Sequence, residues 1–190
     1  MVLFAELNAP ILPEGFAYQA DFLSPAEEET LLARLRDLPF REFEFHGFLG
    51  KRRVHSFGWR YVFGEGGLQP ADPIPGFLLT LREKAAAFGG LPADALQQVL
   101  LTEYRPGAPI GWHRDRSVFG DVVGISLLSA CVLRFRRRDG DRWQRASCAL
   151  APRSLYVLRG PARSVWEHSI PPVEALRYSI TFRGLKNARR

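Results

Sequence analysis

Arg177-Tyr178-Ser179-Ile180-Thr181-Phe182-Arg183 alternates without a break. In an extended chain successive side chains point to opposite faces, so Arg177, Ser179, Thr181 and Arg183 share one face and Tyr178, Ile180 and Phe182 the other. The apolar face asks for a core; the polar face either meets water or lines a cavity. Working back from this strand, the same reading predicts strands over 42–48, 52–57, 97–104, 122–127, 130–136, 142–150, 154–158, 164–168 and 176–183. Asp139-Gly140, Arg159-Gly160-Pro161 and Pro171-Pro172 supply turns between them. Further upstream two helices are predicted. Ser24-Pro25-Ala26-Glu27 combines a cap, a first-turn proline and a capping-box glutamate, followed by Leu31, Leu32 and Leu35 on one stripe. The second runs from about Pro75 to Phe88, with Leu78, Leu81 and Ala85 inward and Gly89-Gly90 as the stop. Helices first and strands after give an α+β fold, a sandwich or jelly roll against N-terminal helices.

The chain has 190 residues, 46% of them hydrophobic and 24% charged, which suits one globular domain and argues against disorder. No apolar run is long enough for a membrane span, so no membrane association is expected. Met1–Glu6 lacks the basic start and apolar run of a secretory leader. Cys131 and Cys148 are too few for a disulfide framework and lack zinc-like spacing, so a cytoplasmic, reducing compartment is expected. The net charge of +6 is a sum of opposites: residues 1–50 carry −6 and residues 51–190 carry +12. Only Lys51, Lys84 and Lys186 among the 26 basic residues are lysine. An arginine-rich body fits an anionic partner, and equally fits the codon bias of a GC-rich genome.

Gly111-Trp112-His113-Arg114-Asp115 is the sharpest local feature. On an extended segment His113 and Asp115 point to one side and offer two ligands of the facial triad that holds non-haem Fe(II). His-x-Asp is common, and a surface histidine beside a solvated aspartate reads the same. A third ligand must come from His46, His55 or His168, of which His168, late in the β region, is best placed. Arg177 and Arg183, six residues apart and about 20 Å between Cα atoms on a strand, are able to bracket a small dicarboxylate from its two ends. Thr102 and Tyr104, on one side of a preceding strand, add hydroxyl groups. Taken alone, the Arg177–Arg183 strand also reads as amphipathic with its polar face in water.

Thr102-Glu103-Tyr104-Arg105-Pro106-Gly107, His113-Arg114-Asp115, Trp166-Glu167-His168-Ser169-Ile170-Pro171 and Arg177 to Arg183, in that order, resemble the AlkB-like family of Fe(II)/2-oxoglutarate dioxygenases over roughly residues 97–185. The resemblance implies a double-stranded β-helix, or jelly roll, with N-terminal supporting helices. It implies iron at His113, Asp115 and His168, and 2-oxoglutarate and O₂ as cosubstrates. Arg177 with Tyr104 would hold the distal carboxylate of 2-oxoglutarate, and Arg183 would lie near its 1-carboxylate. Thr102 and Ser179 stand where repair members of the family often have Asn, and would rebuild those cosubstrate contacts from hydroxyls. Ser169 stands where many members have Gly.

The family's substrate-reading region lies upstream, where Lys51 to Tyr61 interleaves cations with aromatics and Gly58-Trp59-Arg60-Tyr61 resembles the nucleotide lid. Arg53, Phe57, Trp59 and Tyr61 are the expected substrate contacts, because aromatic faces hold unstacked bases and cations meet phosphate. The other reading is a strand whose Phe57, Trp59 and Tyr61 face the core. A second basic run, Arg134–Arg145, reads as a grip on backbone phosphate or as a solvated hairpin tip. His46 and His55 read as ordinary residues, with His55 close enough in the lid to touch a base. The implied activity is oxidative demethylation of N-alkylated bases in DNA or RNA, with single-stranded or flipped-out bases as substrate. The alternatives are a protein side chain or small molecule as substrate, or a non-enzymatic nucleic-acid-binding module. One domain spanning 1–190 is expected, with helices and lid over about 1–96, the catalytic core over about 97–185, and a monomeric state.

Overall fold

A computed structural model describes residues 12–45, 48–63 and 67–186; His46 lies outside them. A seven-stranded antiparallel sheet and a four-stranded antiparallel sheet face one another. Along the chain come β1 (Phe16–Gln19), α1 (Pro25–Arg36), β2 (Arg41–Phe45), β3 (Phe48–Phe57), β4 (Trp59–Val62) and β5 (Gly67–Pro70). These are followed by α2 (Gly76–Gly89), β6 (Leu96–Tyr104), β7 (Ile110–His113), β8 (Phe119–Leu127), β9 (Cys131–Asp139) and β10 (Arg142–Leu150). The chain closes with β11 (Ser154–Leu158), α3 (Gly160–Ser164), β12 (Glu167–Ile170) and β13 (Arg177–Leu185). The large sheet runs β1-β11-β8-β13-β6-β3-β2, the small sheet β10-β9-β12-β7, and β4-β5 forms a separate hairpin. This is the expected jelly roll with supporting helices.

Both helices form where their signals stand. Ser24 Oγ accepts from the Glu27 backbone N–H while the Glu27 carboxylate accepts from the Ser24 N–H, which satisfies two donors at the start of α1. Gly90 ends α2 in the left-handed conformation at φ 63°. Leu31, Leu32 and Leu35 of α1 and Leu78, Leu81 and Ala85 of α2 pack on one side of the large sheet, against Val99, Leu101, Ile125, Tyr178, Ile180 and Phe182. A second cluster, with Val122, Leu133, Phe135, Leu150, Leu158 and Ile170, fills the space between the sheets. The alternation of β13 thus sorts its residues: the apolar face goes to the helices, and Arg177, Ser179, Thr181 and Arg183 face the space between the sheets.

Two predicted boundaries are corrected. Residues 164–168, expected as one strand, divide into the end of α3 and the start of β12. Pro161 suits the first turn of a helix, and its carbonyl accepts from both Val165 and Trp166, so the chain turns before it extends. Arg159-Gly160-Pro161, read as a turn, is the entry to this helix. In the 42–57 region the chain folds back as the β2–β3 pair, and β3 is longer than expected. The short strands β1, β4, β5 and β7 carry too few alternating residues to announce themselves in the sequence.

Candidate active site

The site is built from both sheets. His113 ends β7 and pairs in register with His168 on β12, which brings the two imidazoles to 4.3 Å between ring centroids. Asp115 follows two residues after His113. The candidate ligand atoms of His113, Asp115 and His168 all lie within 4.8 Å of one another. A pair of aligned strands and the turn after one of them therefore assemble three donors that the sequence spreads over 56 positions.

The electrostatics favour metal binding. His113 Nδ1 lies 2.9 Å from the Gly111 carbonyl, so that nitrogen carries the proton and Nε2 keeps its lone pair. Burial lowers the pKa of His113, and burial with the neighbouring His113 lowers that of His168 from 6.5 to about 3. Both rings are thus held neutral, the form that ligates. Burial alone would raise the Asp115 carboxyl; Arg183, then His168 and His113, outweigh it and hold Asp115 below the usual carboxylate range. The His168 ring sets Nε2 3.6 Å from Asp115 Oδ2, and its Nδ1 is buried with no hydrogen-bond partner among the described residues. Two neutral imidazoles, a carboxylate and an unpaired ring nitrogen fit a divalent metal of the Fe(II) class.

Arg177 is fully buried, yet among the described residues its Nη1 and Nη2 have no hydrogen-bond partner. Its Nε donates to Ser126 Oγ at 3.0 Å, and its guanidinium stacks 4.8 Å from the Tyr104 ring centroid. A buried guanidinium with two idle donor groups is costly unless an oxyanion completes it. That orphaned fork is what fits one carboxylate of a dicarboxylic acid. Ser179 stands between Ser126 and Thr102 in register, so three hydroxyls line up across β8, β13 and β6. Thr102, Tyr104, Arg177, Ser179 and Arg183 all line one cavity of about 1180 Å³ together with the three candidate ligands. Arg183 is not idle: its Nη2 reaches Asp115 Oδ1 at 2.7 Å, and Nη1 donates to Gln98 Oε1.

The expected substrate contacts divide. Tyr61 lines the cavity, whereas Arg53, Phe57 and Trp59 do not. Phe57 is 6% exposed and belongs to the helix-side core. Arg53 turns outward to bond Glu103 Oε1 and the Phe40 carbonyl. The cause is parity: Gly50, Arg52 and Val54 take the cavity face of β3, so the odd residues take the other. Gly58, at φ 73°, then turns the chain into β4, where a Cβ would strike the Gln97 carbonyl at 2.2 Å. His55 lies on the outer face of β3 with Phe40 and Phe57 and outside the cavity lining.

Several residues at the site were not singled out by sequence reading. Arg52, Arg60, Arg114 and Arg116 join Phe63 and Trp112 at the cavity wall. Arg116 stacks over both Tyr61 (5.1 Å) and Phe63 (4.6 Å). Arg163, 6% exposed on α3, donates to the carbonyls of Asp115, Arg116, Phe119 and Gly120. It binds together the loop that carries Asp115. Nothing in local spacing marks such a residue, because its partners are backbone atoms more than forty positions away.

Comparison with known proteins agrees with this geometry. The family model described as the 2OG-Fe(II) oxygenase superfamily matches residues 15–183. An alkylated DNA repair protein ALKBH8 homolog of Arabidopsis thaliana is 29% identical over 191 residues, covering 88% of this chain and 52% of its own length. This chain therefore spans about half of that relative. The mitochondrial alpha-ketoglutarate-dependent dioxygenase alkB homolog 7 of Bos taurus is 31% identical over 171 residues, covering 84% of this chain and 68% of its own. Among solved structures, that of OsALKBH1 superposes with a TM-score of 0.67 at 16% identity, over 90% of this chain and 99% of that one. At that identity the likeness is one of fold.

Proposed function

The chain belongs to the 2OG-Fe(II) oxygenase superfamily, on its AlkB-like branch, and on that footing we propose that it oxidatively demethylates N-alkylated bases of DNA or RNA. The family and the donor set support Fe(II) and 2-oxoglutarate use, with O₂ as co-substrate. His113, Asp115 and His168 would hold the metal, and Arg177 with Tyr104 would hold the distal carboxylate of 2-oxoglutarate. Thr102 and Ser179 would add hydroxyl contacts, and Arg183 would lie at the 1-carboxylate end while steadying Asp115. When bound, the iron and its cosubstrate supply the oxidant that hydroxylates an N-methyl group, after which formaldehyde leaves the base. The protein's own part is to orient the ligands, keep the imidazoles neutral and shield the inner cavity from water.

The observation that carries the substrate reading is the wall of the same cavity. Tyr61, Phe63 and Trp112 line it with aromatic rings, Arg116 stacks over Tyr61 and Phe63, and Arg60 and Arg114 add cations beside them. Stacking faces next to guanidinium groups suit an unstacked base and its flanking phosphates. A monomer working as one domain in the cytoplasm completes the reading, in keeping with a cysteine count too low for a disulfide framework. Among the described residues no helix is long and apolar enough to cross a membrane.

The test is a panel of N-methylated single-stranded DNA, N-methylated RNA and methylated peptide, each with Fe(II), 2-oxoglutarate and O₂. Formaldehyde and unmodified base from either nucleic acid are expected. Turnover of the peptide alone would replace this reading with protein oxidation.

A further inference from the structure

We propose that Arg52 is the substrate-side anion site of this cavity: its guanidinium receives an oxyanion of the incoming substrate, a phosphate or a carboxylate, and thereby selects which substrates are accepted. This rests on the reading above that substrate enters the cavity holding His113, Asp115 and His168.

The backbone aims the residue. In the β2–β3 pair Glu42 opposes Arg53 and Phe43 opposes Gly50, so Lys51 and Arg52 have no partners across the ladder. Such a bulge is common beside active sites. Alternation along β3 continues through its two residues, so Arg52 stands on the cavity wall with Gly50 and Val54 while its neighbour Arg53 faces outward to Glu103. The Arg52 guanidinium lies 3.8 Å from the centroid of the Phe43 ring, a stack that fixes the plane of the fork and leaves its edge free to donate.

What Arg52 lacks is an acceptor. Among the described residues no carboxylate pairs with it, although Arg53, Arg105, Arg136, Arg153, Arg159 and Arg183 each have one. Among the described residues two acids line the cavity. Asp115 is held by Arg183 at 2.7 Å, and exposed Glu42 stands opposite Arg53 in the ladder. The cosubstrate does not need Arg52 either. A divalent metal and a dicarboxylate cancel one another, and Asp115 offsets only one of Arg177 and Arg183. One positive charge is therefore left before Arg52 is counted. A guanidinium has five donors and no acceptor, so the group that completes it is an acceptor-only oxyanion held by paired hydrogen bonds.

The test compares matched ligands on protein loaded with metal and 2-oxoglutarate without O₂, with binding followed by calorimetry. One pair is thymidine 5′-monophosphate and thymidine; the other is 5-carboxymethyluridine and uridine. The anionic member of at least one pair is expected to bind ten times more tightly or better than its neutral partner. Arg52→Gln should erase that preference, Arg52→Lys should keep part of it, and the 2-oxoglutarate affinity of both variants should match wild type. The pair that shows the effect identifies the oxyanion as backbone phosphate or base carboxylate. No preference in wild type, a preference that survives in Arg52→Gln, or a tenfold loss of 2-oxoglutarate affinity would each overturn the assignment. An Arg52-dependent preference without formaldehyde release from methylated oligonucleotides would uphold the anion site and reject the demethylase reading.

Discussion

Arg177 shows how much one side chain can disclose. Its alternation with Ser179, Thr181 and Arg183 is legible in sequence, and the structure adds that it is fully buried with two donor groups unpaired among the described residues. A charge-assisted hydrogen bond contributes about 1.5–3 kcal/mol, so Arg177→Ala should raise the 2-oxoglutarate requirement roughly ten- to a hundredfold. An unchanged requirement in steady-state succinate formation would remove Arg177 from the cosubstrate site. The histidines carry a second prediction at this scale. His168 has its pKa lowered from 6.5 to about 3 by burial and by His113, so the unfolded chain takes up its proton first as pH falls. Its contribution to stability is complete above pH 6.5 and is lost progressively from there toward about pH 3. The melting temperature of metal-free protein should therefore drop between pH 7 and pH 5, and His168→Gln should flatten that drop. The grouping of His113, Asp115 and His168 was foreshadowed by His-x-Asp and a late histidine, because strand periodicity puts such residues on one side. Which histidine completes it is a matter of register, here His113 opposite His168.

At the scale of elements, the connections decide what the strands can do. Arg163 reaches from α3 across to the loop that follows β7, and its four carbonyl bonds fix the backbone of Asp115. Arg163 is a positioning residue. Its removal should weaken Fe(II) binding about ten- to a hundredfold, in line with other supports of metal ligands. Equilibrium dialysis of metal into Arg163→Ala and Arg163→Lys checks this; wild-type metal affinity in a folded Arg163→Ala would refute it. Gly124 on β8 has another element-level role. A Cβ there would lie 2.2 Å from Tyr156 Cζ, and Tyr156 lines the cavity. Gly124→Ala should cost about 1–3 kcal/mol by overpacking and displace that ring, read as a lower denaturation midpoint. The sequence exposed α1 and α2 through their end signals and apolar stripes and the long strands through alternation, but not α3. It did not expose the two-residue bulge at Lys51-Arg52, and the alternation that continues through it puts Arg52 and Val54 on the cavity face and the expected contacts Arg53 and Phe57 on the other.

At the scale of the whole molecule, the excess positive charge divides by location. None of the arginines between Arg134 and Arg145 lines the cavity. Arg136 instead lies between Trp112 and Trp143, 4.5 and 4.4 Å from the two ring centroids, and pairs with Glu167 at 2.6 Å. Arg134 stacks on Trp112 and Arg138 on Trp143, so the run forms a ladder of cations and indoles on the small sheet. The composition allowed a count of these charges but not their placement, since stacking partners come from three different strands. Cavity-wall cations should matter more for a polyanion than the ladder does. Arg114→Ala or Arg116→Ala should lower the slope of log affinity for single-stranded oligonucleotide against log salt by up to about one unit. Arg136→Ala should leave that slope near wild type and lower stability instead, by about 1–2 kcal/mol. A demethylase built on the His113, Asp115 and His168 donors and the Arg177 clamp is tested by the formaldehyde and succinate released from an N-methylated oligonucleotide by wild type and by Asp115→Ala. Matched release of both products by wild type, and neither above background from Asp115→Ala, is the result expected. Succinate without formaldehyde from methylated DNA and RNA alike would rule out demethylation, and formaldehyde release undiminished in Asp115→Ala would rule out Asp115 as a metal ligand.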